Sequence, residues 1–325
     1  MQKFLISAII IFILFFSCEN RKEHSPINEK SMDMEEIVLP LKIAFLPILD
    51  SLPFHIAAAK GYFDEQGVEV NGISVNSPLE RDQLMQSGAI DGMLNELSST
   101  ALFNRENTRL KTVIIVRRAV AEGPVFRLLA APQSSIKTPA DLINVQIGVS
   151  KNSIIEYLTD RILQAEGLSP EEIITISVPV IPERFQLLMK GEIKAATLPD
   201  PLAQAAIKAG ARLVIDDSSY PEYSLSALSF SIKTIETNSE AIRRFIKAWN
   251  KAVHDLNSDP DSFRDIFLEN VPTPESVKET YKIPPFPGPM VPTEEQWNDV
   301  LNWLNEKGLL QTRPVFEEAI TPEFL

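Results

Sequence analysis

The chain has 325 residues, of which 44% are hydrophobic and 23% are charged, an ordinary globular composition with enough length for two lobes. The formal net charge is −13, and the lysines and arginines form no cluster dense enough to follow a phosphate backbone, so nucleic acid is excluded as an expected partner. The single cysteine excludes an internal disulfide.

The N-terminus has the pattern of an export signal. A short basic start, Met1–Lys3, precedes an apolar run, Phe4–Phe16, that ends just before Cys18. About 13 apolar residues are too few to cross the roughly 30 Å hydrocarbon core of a membrane. The stretch from Leu14 to Cys18 resembles the lipobox of bacterial lipoproteins, except that Phe15 stands where that motif usually has leucine.

These features predict a signal peptide over residues 1–17 and lipidation of Cys18. The alternative is that Cys18 is an incidental thiol in an ordinary secretion signal. Residues 18–37 are polar and lack apolar periodicity, which predicts a flexible tether. A lipid-anchored, extracytoplasmic location follows, periplasmic or on the outer face of the cell membrane.

The folded part begins near Val38 with a strand, a turn, a helix and a second strand. These are predicted at Leu41–Phe45, Pro47–Pro53, Phe54–Lys60 and Val68–Val70, with glycines ending the helix and turning the chain, and a strand end follows at Gly72–Asn76.

Strands and helices alternate through the next 150 residues. Further strands are predicted at 88–94, 110–117, 124–131, 145–149, 173–178, 195–198, 212–215 and 226–232. Helices are predicted at 79–87, 154–166, 182–190, from the turn 199–201 to 209, and then at 239–257, 259–267, 274–281 and 293–307. This alternation favours parallel sheets with helices on both faces. Five aromatic side chains at amphipathic spacing or helix ends are predicted to lie in the core: Tyr62, Phe63, Trp249, Trp297 and Trp303.

Four strand-to-helix turns are candidate walls of a ligand site, because the carboxyl ends of parallel strands meet at one edge of a sheet. They are residues 47–53, 95–100, 150–153 and 199–201, and the helix starts there offer free backbone N–H groups. The candidate binding residues are Asp50, Ser51, Phe54, Asn95, Glu96, Ser98, Ser99, Ser150, Asn152, Ser153, Asp200 and Tyr223. The alternative for each serine or asparagine is that it caps its own helix.

Three of these candidates are carboxylates: Asp50, Glu96 and Asp200. A carboxylate in a closed cleft is costly unless it is paired, and a sulfonate or nitrate has no donor to offer it. A ligand with amino or amidine-like N–H groups has such donors, and Phe54 or a tyrosine is placed to stack on its ring. The alternative is that the acids cap helices or face solvent. Arg127, in an apolar run, is expected to pair with a ligand or a site carboxylate, or to lie at a sheet edge.

Several short phrases occur in a consistent order along the chain. They are KGYF (60–63), GVEV (67–70), GAIDG (88–92), KTPADL (137–142), IGV (147–149), GEIKAA (191–196), DP (200–201) and GARL (210–213). Together they resemble the substrate-binding proteins of ABC transporters for nitrate, sulfonates, taurine and thiamine-pyrimidine precursors. The resemblance runs from about Leu41 to the C-terminus.

This resemblance implies an α/β fold of the two-lobed periplasmic-binding-protein type (type II). Each lobe would be a mostly parallel sheet flanked by helices, and two crossover strands would form the hinge. Lobe 1 is predicted at residues 38–131 and 222–325, and lobe 2 at residues 132–221. The chain would work as a monomer without cofactor or metal, and its partners would be a small ligand and the permease and ATPase subunits of an importer.

The function implied is capture of a small polar organic ligand, with an aminopyrimidine resembling a thiamine precursor as the first choice. The alternatives are an anion binder for sulfonate, taurine or nitrate, a ligand sensor for a membrane receptor, and an enzyme of pyrimidine or menaquinone-precursor synthesis on the same fold. We predict no enzyme, because the chain has no cysteine after Cys18, no Gly-rich phosphate loop and no Ser/His/Asp arrangement.

Overall fold

The computed structural model describes residues 40–121 and 123–325. The predicted signal peptide, the lipidation site Cys18 and the tether lie outside these described residues. Within them, none of the helices combines the length and the apolar character needed to cross a membrane.

The first of two five-stranded sheets combines four strands from the N-terminal part of the described chain with one strand, β10, from much later in the sequence. Its strands, in spatial order, are β2 (Val70–Ser74), β1 (Leu41–Phe45), β3 (Gly92–Asn95), β10 (Leu225–Ser231) and β4 (Leu110–Arg118). Four of them run in one direction, while β10 is antiparallel to both of its neighbours. The odd strand is the one that enters from the other sheet.

The second sheet repeats this arrangement. Its spatial order is β7 (Ile174–Ser177), β6 (Gln146–Val149), β8 (Ala195–Pro199), β5 (Phe126–Ala130) and β9 (Arg212–Asp216). Here β5, the strand that arrives from the first sheet, is the antiparallel one. The α/β class with mostly parallel sheets is therefore confirmed.

The chain crosses between the sheets twice, once between β4 and β5 and once between β9 and β10. Asp217 joins the two crossings, because its carboxylate accepts the backbone N–H groups of Val125 and Phe126 and the hydroxyl of Ser224, at 3.0, 2.9 and 2.5 Å. The first change of sheet occurs before Phe126, where β5 begins. The predicted lobe boundaries at residues 131 and 221 stay a prediction.

Thirteen α-helices flank the sheets in the described residues. They are α1 (Leu52–Ala59), α2 (Tyr62–Glu65), α3 (Pro78–Ser87), α4 (Leu97–Phe103), α5 (Ile154–Ala165), α6 (Ile181–Lys190), α7 (Leu202–Lys208), α8 (Ile232–Thr237), α9 (Ser239–Ser258), α10 (Arg264–Asn270), α11 (Glu275–Lys278), α12 (Glu294–Glu306) and α13 (Phe316–Ala319). The five aromatic side chains predicted to lie in the core are buried.

Two local expectations were wrong in extent. The two pieces predicted at Val68–Val70 and Gly72–Asn76 are one strand from Val70 to Ser74, because this stretch pairs along the whole of β1. The helix predicted over residues 274–281 is limited to α11, after which Tyr281 is buried and stacks on Phe267 at 5.4 Å.

Candidate functional site

A small cavity lies where the carboxyl ends of the two sets of parallel strands face each other. We call it the cleft cavity; its volume is about 30 Å³, and it has the lining residues Leu46, Ile48, Asp50, Pro78, Arg81, Leu94, Asn95, Glu96, Phe126, Ser153, Ile154, Ile155, Ile181, Pro199 and Ser226. All four predicted turns contribute to this lining: Ile48 and Asp50, Asn95 and Glu96, Ser153, and Pro199. The two sheets therefore contribute walls to the same site.

Asp50 sits in a short 3-10 turn after β1 and is buried. Its carboxylate accepts the Ser226 hydroxyl at 2.6 Å and lies 3.8 Å from the guanidinium of Arg117. Burial raises the pKa of Asp50, and the charge of Arg117 and the hydrogen bond from Ser226 oppose that rise. Asp50 thus has a cation and a donor from the protein itself.

Glu96 ends the turn between β3 and α4. Arg81 of α3 donates two hydrogen bonds to its carboxylate, at 2.7 and 3.1 Å, and both side chains are buried. Arg81 also donates to the carbonyl of Leu94 at 3.2 Å and to the carboxylate of Asp82 at 2.8 Å. Burial raises the pKa of Glu96, while Arg81 lowers it. This forked geometry is the strongest pairing available to a buried carboxylate.

Asp200 follows Pro199 at the end of β8 and does not line the cleft cavity itself. Arg127 of β5 donates to both of its carboxylate oxygens, at 3.0 and 2.9 Å, and lies 3.7 Å from Asp216. Burial raises the pKa of Asp200, and the bonds and charge of Arg127 oppose it. Of the three roles expected for Arg127, pairing with a site carboxylate is the one observed; its strand lies inside the sheet and not at an edge.

The three pairings change the chemical argument about the ligand. From the sequence, unpaired carboxylates called for a ligand rich in donors. In the structure each carboxylate faces an arginine, so the protein supplies those donors and the ligand does not have to. The charges at the cleft cavity are matched, and an uncharged ligand meets the least desolvation cost there.

A second cavity, the hinge-side cavity, adjoins the first at Glu96 and Ile154. It measures about 10 Å³, and its lining residues are Glu96, Leu97, Ser98, Ile154, Tyr157, Glu222, Tyr223, Leu225, Gln296 and Val300. The Ser98 hydroxyl is buried and has no hydrogen-bond partner within the part of the chain that the structure describes. The rings of Tyr157 and Tyr223 meet edge to face, with centroids 6.1 Å apart.

Six of the twelve predicted site residues line one of these cavities: Asp50, Asn95, Glu96, Ser98, Ser153 and Tyr223. Asn95 accepts the Ser229 hydroxyl and donates to Thr100. Ser153 also caps α5, as the alternative expected, by accepting the N–H of Ile155 at 3.2 Å.

The other six are engaged elsewhere. Besides Asp200, they are Ser51, which donates to the Ile48 carbonyl; Ser99, which donates to Asp82; Ser150, which donates to the Pro179 carbonyl; Asn152, an exposed residue with φ of 58°; and Phe54.

Phe54 packs in the core of the first sheet. Its ring stacks on Phe45 with centroids 4.4 Å apart and leaves room only for a glycine at Gly72. Phe54 therefore lines neither the cleft cavity nor the hinge-side cavity.

Sequence reasoning missed several residues that line or support the site, namely Arg81, Arg117, Tyr157 and Ser226. Arg117 carried a usable signal, since a charged residue that ends the β-branched run of β4 needs a partner. The others looked like ordinary residues of a helix or strand.

Comparison of the sequence with known proteins identifies a family. The family model described as NMT1/THI5 like matches residues 49–263. A curated formylaminopyrimidine-binding protein from Halalkalibacterium halodurans is 22% identical over 339 aligned positions, which cover 99% of this chain and 99% of that protein.

Solved structures show the fold. The ligand-binding component of an ABC-type import system from Staphylococcus aureus has a TM-score of 0.73 at 14% identity, covering 87% of this chain and 97% of that one. The alkanesulfonate-binding protein SsuA from Xanthomonas axonopodis also has a TM-score of 0.73, at 16% identity, covering 87% and 98%. The desulfurization enzyme DSZB shares the fold with a TM-score of 0.62 at 15% identity, covering 88% and 97%. The chain therefore has the periplasmic-binding-protein fold, which serves binding proteins and at least one enzyme.

Proposed function

Because the chain belongs to the NMT1/THI5-like family, we propose that it is the extracytoplasmic solute-binding component of an ABC importer. The observation that carries this proposal is the cleft cavity, where all four turns, two from each sheet, contribute residues to the same lining. A ligand held there touches both sheets and so favours a closed state that a permease can recognise.

The proposed ligand is an uncharged aminopyrimidine. The full-length similarity to a formylaminopyrimidine-binding protein supports it. So does the matched charge of the cleft cavity, because Glu96 is already paired with Arg81 and Asp50 lies beside Arg117. The contacts we propose are Asp50, Asn95, Glu96, Ser98, Ser153 and Tyr223, with Ser226 added from the structure.

A sulfonate, taurine or nitrate ligand is the second candidate, since a sulfonate-binding protein shares the fold. An anion in the cleft cavity would meet two carboxylates, and the one arginine that lines the cavity already pairs with Glu96 and Asp82. The cavity therefore favours the uncharged pyrimidine over the anion.

A thermal-shift panel on the chain, with a formylaminopyrimidine, an aminopyrimidine, riboflavin, an alkanesulfonate, taurine and nitrate, tests the ligand class. At a ligand concentration 100 times Kd, binding adds about 2.7 kcal/mol to the free energy of unfolding, which a melting curve resolves. A shift with a pyrimidine alone supports the proposal. A shift only with an anion overturns the ligand class, and turnover of a bound compound would favour an enzyme.

We also propose that Cys18 carries a lipid that holds the protein at the membrane, and that the chain works as a monomer beside its permease. Replacing Cys18 with serine is expected to move the protein from the membrane fraction to the soluble fraction. Unchanged fractionation would rule out the anchor.

A further inference from the structure

Helix α12 lies between helices that follow strands of different sheets. On one side is α4, which follows β3 of the first sheet, and on the other is α5, which follows β6 of the second. Apolar residues of α12, among them Val300 and Leu304, share one hydrophobic cluster with residues of both helices. The two sides of α12 differ in the kind of contact they make.

Toward α5 the contacts are polar and directional. The carboxylate of Asp299 accepts the Tyr157 hydroxyl at 2.7 Å and the guanidinium of Arg161 at 3.0 Å. Arg161 also donates to Glu306 at 2.8 Å. These bonds fix the register between the two helices, because each requires a defined donor direction.

The end of α12 adds a second group of polar contacts to α5. Trp303 donates its indole N–H to Asp160 at 2.8 Å, and the ammonium of Lys307 lies 3.0 Å from both Asp160 and Glu156. Asp160 and Glu156 are buried, so removal of Lys307 would leave two acids without this cation.

Toward α4 the contacts are apolar and incompletely packed. No hydrogen bond or ion pair links α12 to α4 among residues 40–121 and 123–325. The hinge-side cavity opens between them, and the buried Ser98 hydroxyl there has no partner. An apolar contact with a void separates at lower cost than a contact whose loss leaves the buried carboxylates of Glu156 and Asp160 without the Lys307 cation.

The segments on either side of α12 are tied back to the first sheet. The carbonyl of Met290 accepts the N–H of Ile115 at 2.8 Å, and the N–H of Thr321 donates to the carbonyl of Thr112 at 3.0 Å. Residues 290–321 therefore start and end on β4 while the helix between them is bonded to the second sheet's α5.

We propose that residues 290–321 form a strap across the hinge. When the cleft opens, α12 moves with α5 and parts from α4, exposing Ser98 and Glu96; the attachments to β4 limit how far it travels. The polar contacts between α12 and α5 persist in both states, and through them the strap limits how far the second sheet moves away from the first. This inference rests on the hinge closure of the proposed function.

Spin-label distance measurements test the strap. In the full chain carrying Cys18→Ser, labels are placed at Glu106→Cys and Glu192→Cys, whose native side chains are 81% and 55% exposed. The test variant is Asp299→Asn with Glu306→Gln, which keeps the side-chain shapes and removes two charges. The matched control is Glu65→Gln, which breaks an exposed ion pair with Lys251.

Without ligand, the test variant is expected to populate longer label distances than the parent and the control. With formylaminopyrimidine as the probe, the Kd of the test variant is expected to be roughly threefold to tenfold higher than that of the parent, in line with the loss of two partly exposed ion pairs. Glu306→Gln alone, at a half-exposed site, should give a smaller change in the same direction and covers the case in which the double variant does not fold.

Distances that match those of the parent and of Glu65→Gln would overturn the strap. The ligand-free distances decide this even if no pyrimidine binds, so failure of the ligand proposal and failure of the strap are separate results.

Discussion

The buried pair of Arg81 and Glu96 gives the strongest quantitative prediction. Replacing Arg81 with methionine keeps most of the apolar stem but leaves Glu96, which is 4% exposed, without its cation. It also removes the donor to the Leu94 carbonyl. Breaking a buried pair from one side costs about 3–5 kcal/mol, and an unsatisfied buried carbonyl adds about 1–3 kcal/mol when no water replaces the donor. We expect a loss of at least about 4 kcal/mol of unfolding free energy, while the partly exposed ion pair with Asp82 adds little.

Urea denaturation followed by circular dichroism measures this loss. The matched variant is Arg81→Met with Glu96→Gln, in which no charge remains buried, and it should recover at least half of the stability. The pH gives a second check. Burial already raises the pKa of Glu96, and removal of Arg81 raises it further. Because the folded state then binds the proton more tightly than the unfolded state, the penalty of Arg81→Met shrinks as the pH falls from 7 toward 5. A loss below 1 kcal/mol, or no recovery in the double variant, would refute the reasoning.

Three further changes have defined outcomes. Gly72→Ala places a methyl 2.4 Å from the ring of Phe54 and should destabilise the fold by about 1–3 kcal/mol, as read from urea midpoints; an unchanged midpoint would contradict this packing. Phe54→Leu should lower the free energy of unfolding by about 1–2 kcal/mol yet leave the Kd for formylaminopyrimidine unchanged in calorimetry. A large rise in Kd would indicate that Phe54 contacts the ligand after all. Burial raises the pKa of Asp217 from 3.8 to about 6. Because the folded state then holds this proton more tightly than the unfolded state, the free energy of unfolding falls by about 3 kcal/mol as the pH rises between these two values. Asp217→Asn should remove that slope from the curve of unfolding free energy against pH, and parallel curves for the two proteins would count against it.

Local pattern was enough to predict most of the elements. Leu41–Phe45 and the helix beginning at Ile154 were located to within a residue, because the periodicity of a strand or a helix can be seen within one short stretch of sequence. The grouping of two turns at the edge of each sheet followed from the rule for parallel strands, whereas the meeting of both pairs at one cavity depends on how the two sheets pack. The predicted bounds were wrong where distant pairing decided them, as in β2, where the pairing with β1 makes one strand from Val70 to Ser74.

Only the tertiary structure decided which side chains pair with each other. The sequence identified Asp50, Glu96 and Asp200 as buried acids near a site, but it left open what would neutralise them. Asp200 pairs with Arg127 across 73 positions, and Asp50 faces Arg117 from another strand. No periodicity links such residues, since each pair meets only when separate strands and helices have packed. The sequence alone thus determined the α/β class and the turns from which we propose that a ligand is bound, while the packing of the two sheets determined that the carboxylates there are already paired.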